Sequence, residues 1–372
     1  FRSIRIGKER VMKRIRAYGI IPGEMEPGPL NKITDVAGVS VGHATVNTAE
    51  HKTGITVILP CEDNPYKNKL TAAAYIHNGF GKSQGLVQME ELGTLETFIA
   101  LTNTLNVGKV HDAVVDMMSE QCEREGIQVT TINPVVGECN DSGLNLIKER
   151  IIGLEEVRTA VREAKRDFEE GAVGAGTGTV CFGLKGGIGS ASRQFPLGGK
   201  TYTVGALVQS NFGSTKNLMI CGEMVGRELE KKTKPALLDR GSIMTVIATD
   251  LPLSDRQLKR VIKRAGVGLS RTGSYMGHGS GDIMIGFTTA NRISEERDPE
   301  ILTIRILKES LLDTAFTAAA EAVEEAVLNS LAMASTTVGY QGEIRYSLTD
   351  LWLSGLSTAD QAAADQAADS TN

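Results

Sequence analysis

Aromatic side chains are scarce in this chain. They make up 5 % of 372 residues, with a single Trp. No basic stripe accompanies them, the formal net charge is −5 and the isoelectric point is about 5.7. Base stacking and phosphate neutralisation both lack material, so nucleic-acid binding is excluded. Cysteine is sparse too. Cys61, Cys122, Cys139, Cys181 and Cys221 are odd in number and show no CxxC spacing. That argues against a disulfide framework and a thiolate metal site, and for reduced, buried thiols. The five histidines, His43, His51, His77, His111 and His278, are scattered without an HExxH pattern. A zinc peptidase is therefore not expected, and neither a metal nor an organic cofactor is called for. No apolar run approaches the ~18 residues that a membrane span needs. The chain starts at Phe1 with a basic, amphipathic segment that lacks an apolar signal core. A processed or trimmed start is expected. The compartment expected is the cytoplasm, or the periplasm or exterior if a signal peptide preceded Phe1.

Glycine, by contrast, is abundant. There are 41, about 11 % where ~7 % is usual, clustered at 171–198 and 265–286. Such clusters mark backbone that turns sharply or comes close to another group. The stretch GAVGAGTGTV (171–180) approaches dinucleotide-loop spacing. It follows a helix rather than a strand, and no acidic residue stands where a ribose partner would be, so close packing or pocket lining is the better reading. The most informative glycine is Gly241. A polar, Pro-containing approach, KKTKPALLDR, ends there; Ser242 follows, and then an apolar run from Ile243 to Ala248 that reads as a buried strand. A Ser opening a buried strand after a flexible Gly is where a chain can cut itself. The freed residue would carry a hydroxyl and an α-amine with a pKa near 8, nucleophile and base in one. By itself Gly-Ser is also a common turn pair.

Residues 1–30 read as a basic segment and a Pro/Gly-rich connector. Two strands in a hairpin-like pair follow, VAGVSVGHATV and GITVILP, and TAAAYIHNGFG runs from strand into loop. Residues 83–103 suggest two short helical stretches and 109–126 a better helix. Residues 131–147 give a strand, a turn-rich loop and the start of a helix. EEVRTAVREAKRDFEEG reads as one amphipathic helix ended by Gly171, before Gly-rich strands through 211. After Ser242 the order is strand, helix (N-cap Ser254), strand (282–291) and a long Ala-rich helix (306–334). The tail 357–372 lacks bulky apolar residues and reads as disordered. The mixture lacks a regular βαβ beat, which favours stacked sheets covered by helices, an α+β class. One catalytic domain is expected over 31–356.

Four stretches carry a family resemblance: ITDVAGVSVGHATV (33–46), GAGTGTVCFGLKGGIGSASR (174–193), VQSNFG (208–213), and GSIMTVIATDLPL with RTGSYMGHGSGDIMIGFTTAN (241–253 and 271–291). In that order they resemble the DmpA-type L-aminopeptidase/D-esterase family, which includes the β-peptidyl aminopeptidases. The resemblance implies a four-layer αββα sandwich of the DmpA and ornithine-acetyltransferase type, N-terminal-nucleophile-like. It also implies self-cleavage at Gly241–Ser242 into a large subunit (1–241) and a small one (242–372), and closed homo-oligomers of the cleaved pair.

The resemblance implies roles for further residues. Ser280 and Asp282, two apart at a strand entry, share a face and can hold the freed Ser242 and relay a proton; relatives carry a Ser and an acid here, Glu in some. Asn211 is the donor to the oxyanion. In the loop GECNDSGLN, Glu138 or Asp141 would bind a substrate ammonium by charge-assisted hydrogen bonds. Gly143 stands where relatives carry an aromatic residue, often Tyr, which leaves the pocket's preference open. His278, close to Ser280, reads as structural.

The leading expectation is a self-processing serine aminopeptidase acting on small peptides, amides or esters with a free amino group. Three alternatives remain. One is β-peptidyl specificity. Another is an acyltransferase of the ornithine-acetyltransferase type, which uses a Thr nucleophile where Ser242 stands. The last is a non-catalytic relative.

Overall fold

The computed structural model describes residues 12–233, 236, 240–294 and 300–356. The reading of 357–372 as a disordered tail and of the first eleven residues as a basic segment lies outside them. In chain order the structure forms β1 (Ser40–Asn47), β2 (Lys52–Leu59), β3 (Asn68–Gly79), α1 (Leu86–Leu92), β4 (Thr94–Leu95), β5 (Ile99–Asn103), α2 (Val107–Arg124), β6 (Val135–Cys139) and α3 (Leu154–Arg162). The Gly-rich stretch gives β7 (Val180–Cys181), β8 (Leu184–Lys185), β9 (Ile188–Leu197) and β10 (Lys200–Asn211). Then come α4 (Gly226–Leu229), β11 (Arg240–Thr249), α5 (Asp255–Ile262), α6 (Ala265–Arg271), β12 (Gly279–Ser294), α7 (Leu312–Ala332), β13 (Thr337–Val338) and β14 (Ile344–Arg345).

Two sheets stack. One is four-stranded in the order β1-β2-β5-β6, the other six-stranded in the order β4-β3-β12-β11-β10-β9. Three apolar cores separate four layers. Val57, Val110, Val114 and Val157 belong to the core between the small sheet and α2 and α3. Ile58, Leu101, Leu207, Met244, Val246 and Ile285 fill the space between the sheets. Ile243, Ile247, Leu258, Leu269 and Val323 lie between the large sheet and α5, α6 and α7. This is the αββα sandwich, built because strands buried on both faces must be covered twice.

Small residues set the close approach of α7. A Cβ on Gly189 of β9 would lie 2.0 Å from the carbonyl of Ala326, and one on Gly268 of α6 would lie 2.5 Å from that of Ala320. The alanines of α7 keep its surface low enough to sit in that space.

Four expected helical stretches are different in the structure. Residues 94–103 are strands β4 and β5, because Ile99–Asn103 is buried throughout and pairs with both β2 and β6. The helix drawn to Gly171 ends at Arg162 instead. Lys165 then exchanges backbone hydrogen bonds with Val41 on the edge of β1 (3.1 and 3.0 Å), so sheet pairing takes those peptide groups from the helix. The helix start expected near 147 is a single turn, Ile147–Glu149. The helical stretch after Ser254 is two helices, α5 and α6; the Ser254 side chain does cap α5, accepting from Gln257 N–H at 3.2 Å.

Candidate active site

Register and alternation place the candidate residues. β10 and β11 run antiparallel with Asn211 opposite Ser242. β11 and β12 run parallel, with Gly241 beside Ser280, Ser242 beside Gly281 and Ile243 beside Asp282. On β11, Met244 and Val246 face the small sheet, while Ile243 and Ile247 face the helices. Ser242 shares its face with Met244, toward β6. By the same alternation Ser280 and Asp282 share the face of Met284, beneath the helices.

That geometry divides the expected residues. Ser242, Asn211, Glu138 and Gly143 line one cleft of about 850 Å³, together with Gly241. Asp141 is outside its lining; it is 1 % exposed and accepts from Asn145 Nδ2 at 2.9 Å. Burial pushes its pKa up to about 6 against the donors Thr53, Asn145 and Asn103. Ser280 and Asp282 also lie outside the lining, fully buried; Ser280 Oγ donates to Asp282 Oδ1 at 2.9 Å. His278 lines the cleft beside Phe80.

Gly241 has φ +132°, and a Cβ there would sit 1.8 Å from the Asn211 carbonyl oxygen. Conformation and space both demand glycine. Immediately after it, Ser242 is 3 % exposed, and its Oγ has no hydrogen-bond partner of normal geometry among the described residues. Thr71, Ser214, Thr245 and Ser294 share that condition among the described residues; Ser242 differs from them in lining the cleft. Behind it stands the Cys139 thiol, whose pKa burial raises well above its ordinary range, with the Ser242 hydroxyl beside it partly offsetting this.

The amide of Asn211 is oriented by the Gly-rich loop. Val180 N–H donates to Asn211 Oδ1 at 2.9 Å. A backbone N–H can only donate, so the oxygen is fixed on that side and the NH₂ is left for the cleft. Glu138, at the end of β6, is 3 % exposed. Its Oε1 accepts from the Lys82 backbone N–H at 2.9 Å, and its Oε2 accepts from the Thr104 hydroxyl. Two donors hold the carboxylate in place at the cleft wall. A Cβ on Gly143 would meet nothing within 4 Å, so this wall has room.

Several cleft residues escaped the sequence reading. Lys82 and Thr104 reach the site only through folding, and nothing in their local sequence marks them; Val180 ends the Gly-rich stretch read as close packing or pocket lining, but nothing there marks its own part. Phe80 and Tyr275, 55 % and 56 % exposed, stand at the cleft, with Lys82 Nζ 4.6 Å from the Phe80 ring centre. Two exposed aromatics beside Gly-rich turns were a readable signal. Arg345 lines the cleft from β14. Gly176 and Gly178 pack backbone against backbone: a Cβ on Gly178 would lie 2.0 Å from the Lys52 carbonyl, and one on Gly176 2.5 Å from the Ile188 nitrogen and 2.6 Å from the Gly187 carbonyl carbon. Among the described residues no group of three or more His, Cys, Asp or Glu is placed to hold a metal ion, and no helix is long and apolar enough to cross a membrane.

Comparison with known proteins places this architecture. The model of peptidase family S58 matches residues 31–345. The beta-peptidyl aminopeptidase BapA of Sphingosinicella microcystinivorans is 37 % identical over 353 residues, 88 % of each chain. A protein of Pyrococcus horikoshii OT3 with a known crystal structure is 49 % identical, with a TM-score of 0.85 over 90 % of this chain and 96 % of that one. The L-aminopeptidase D-Ala-esterase/amidase of Ochrobactrum anthropi is described as a prototype for the serine aminopeptidases and a new variant among the Ntn hydrolase fold. It is 34 % identical, with a TM-score of 0.83 over 90 % of this chain and 95 % of that one.

Proposed function

The chain belongs to peptidase family S58, and from that premise we propose that it is a serine aminopeptidase that makes its own nucleophile by cleavage at Gly241–Ser242. The observation that carries this is the pairing of an obligatory glycine with a buried serine hydroxyl that has no hydrogen-bond partner of normal geometry among the described residues, opposite Asn211 and in one cleft with Glu138. Cleavage yields a large subunit, 1–241, and a small one, 242–372. The small subunit's chain then begins with Ser242, whose α-amine has a reference pKa near 8 and is the base for its own hydroxyl.

The proposed catalytic sequence runs through these residues. Glu138 takes the substrate's ammonium. Ser242 Oγ attacks the carbonyl of the amino-terminal residue, and the Ser242 amine accepts the hydroxyl proton. Asn211 Nδ2 donates to the oxyanion. The intermediate collapses to an acyl-enzyme as the leaving amine or alcohol takes the proton, and water releases the amino acid. Ser280 and Asp282 act from behind the strand. Ser280 lies beside Gly241 in register, so departure of Gly241 brings the new amine within their range. Asp141 supports the loop from behind rather than touching substrate. Substrates are small peptides, amides or esters with a free amino group, and the subunits assemble as homo-oligomers of cleaved pairs.

The relatives named as beta-peptidyl aminopeptidases, and the open wall at Gly143, favour a second reading in which the longer β-amino backbone is accepted. The test is a panel of alanine, β-alanine and acetyl-alanine p-nitroanilides. Free-amine substrates should exceed the acetylated one by about 30- to 150-fold in kcat/KM, the worth of a charge-assisted contact of ~2–3 kcal/mol. Glu138→Gln should narrow that gap. Equal rates on free and acetylated substrates would overturn the aminopeptidase reading.

A further inference from the structure

Lys185 on β8 is a fully buried cation outside the cleft lining. Its Nζ donates to three backbone carbonyls, those of Gly176 (2.8 Å), Thr179 (2.9 Å) and Gly186 (2.6 Å). Three acceptors take all three protons of an ammonium, and no carboxylate is hydrogen-bonded to Nζ among the described residues. Burial pushes its pKa down to about 7, against the opposing pull of Cys181 and Asp141. A buried lysine amine is costly to keep, and a Met, one atom shorter, would fill most of the same space. The arrangement calls for a reason beyond packing.

The reason lies in the Thr179–Val180 peptide. Lys185 holds its carbonyl oxygen. In a trans peptide the C=O and the following N–H point in opposite directions. Anchoring the Thr179 oxygen therefore aims the Val180 N–H directly away, and that N–H donates to Asn211 Oδ1 at 2.9 Å. The sequence of contacts is unbroken: Lys185 Nζ to the Thr179 carbonyl, through the peptide plane to Val180 N–H, to Asn211 Oδ1. With Nζ protonated, the charge at one end polarises each member in the same sense, which makes the Val180 N–H a stronger donor and leaves the Asn211 NH₂ more positive. The same Thr179 carbonyl also accepts from Gly186 N–H (3.0 Å), and the loop is pinned again by Lys185 N–H to the Tyr346 carbonyl (2.9 Å). Loss of the charge would thus leave the loop in place while removing the polarisation and one of the two anchors on this peptide.

We propose that Lys185 is a positioning residue for catalysis: through the Thr179–Val180 peptide it orients and polarises the Asn211 amide toward the oxyanion. The inference rests on the reading of Asn211 as the oxyanion donor. A purely structural lysine would make a different prediction, since its loss would disturb the whole Gly-rich wall and substrate binding with it.

The experiment is a two-by-two comparison of wild type, Lys185→Met, Asn211→Ala and the double variant. Rates on alanine p-nitroanilide are taken per cleaved chain, with the cleaved fraction measured by intact mass. Lys185→Met should lower kcat by about 10- to 100-fold and move KM less than about threefold, because the oxyanion exists only in the transition state. In the Asn211→Ala background the same change should cost no more than about twofold, since the group it positions is gone. Multiplying losses in the double variant, or a loss confined to KM, would overturn the proposal. If Lys185→Met does not fold, Lys185→Gln, which lacks the charge, carries the same comparison and must show the same non-additivity. A full kcat in Asn211→Ala alone would instead sink the reading of Asn211, an outcome visible without any Lys185 variant.

Discussion

Removing the Asn211 side chain is the perturbation whose size the structure sets most closely. The residue is 6 % exposed, and its carboxamide is turned by a single backbone donor so that the NH₂ faces the cleft beside Ser242. A fixed donor of that kind, shielded from water, contributes ~3 kcal/mol to an oxyanion. That converts to about 150-fold in rate at 1.36 kcal/mol per tenfold. Asn211→Ala should therefore lower kcat on alanine p-nitroanilide by about 100-fold or more, with KM little changed. Asn211→Asp should be at least as poor as the Ala variant. It keeps an acceptor for Val180 N–H, so the loop is undisturbed, but sets a carboxylate where negative charge develops. The assay is steady-state hydrolysis per cleaved chain, with thermal melting as a check on the fold. A kcat within about threefold of wild type for either variant would refute the assignment, because the remaining backbone donors would then suffice.

Other outcomes follow from the same structure. A Tyr in place of Gly143 has open space to enter; Gly143→Tyr should shift preference among Ala, Leu, Phe and β-Ala anilides, and an unchanged profile would show that this loop does not select substrate. Stability should fall on acidification because of His43. Its Nε2 is set against the Glu169 carbonyl and its Nδ1 against the Thr56 hydroxyl, and burial lowers its pKa from 6.5 to about 4. The unfolded chain thus takes up the proton first: the stabilisation is present above pH 6.5 and is lost as the pH drops toward 4, worth up to about 3 kcal/mol. Melting curves from pH 7 to 4 should show a steeper decline for wild type than for His43→Gln, and parallel declines would assign the loss elsewhere.

The sequence made the strand after Ser242 legible, because an apolar run opened by Gly-Ser has few other solutions. It made the layered α+β class legible as well, through strands and helices without a βαβ beat. It did not show that Asn211 would face Ser242, since that depends on register between strands and not on any local pattern. Glu138 and Asp141, three residues apart in one turn-rich loop, are indistinguishable as sequence. Folding sends one into the cleft, held by Lys82 and Thr104, and the other behind it among Thr53, Asn103 and Asn145. The pair Ser280 and Asp282 does share a face, as its spacing requires, yet that face is the one beneath the helices. The direction of a strand's alternation is set by what packs on it. Lys185 was present in the quoted motif without a role, because a lysine's partners here are carbonyls and leave no trace in side-chain identity.

The central claim is that Ser242 becomes a chain terminus without help from another protease. Intact mass spectrometry of the purified protein under denaturing conditions, with amino-terminal sequencing, tests it most directly. Wild-type protein should give two fragments, the smaller of them beginning Ser-Ile-Met-Thr and comprising residues 242–372, and Ser242→Ala should give one uncut chain. A wild-type chain that stays whole through prolonged incubation, or a Ser242→Ala chain that is cut at the same bond, would contradict it.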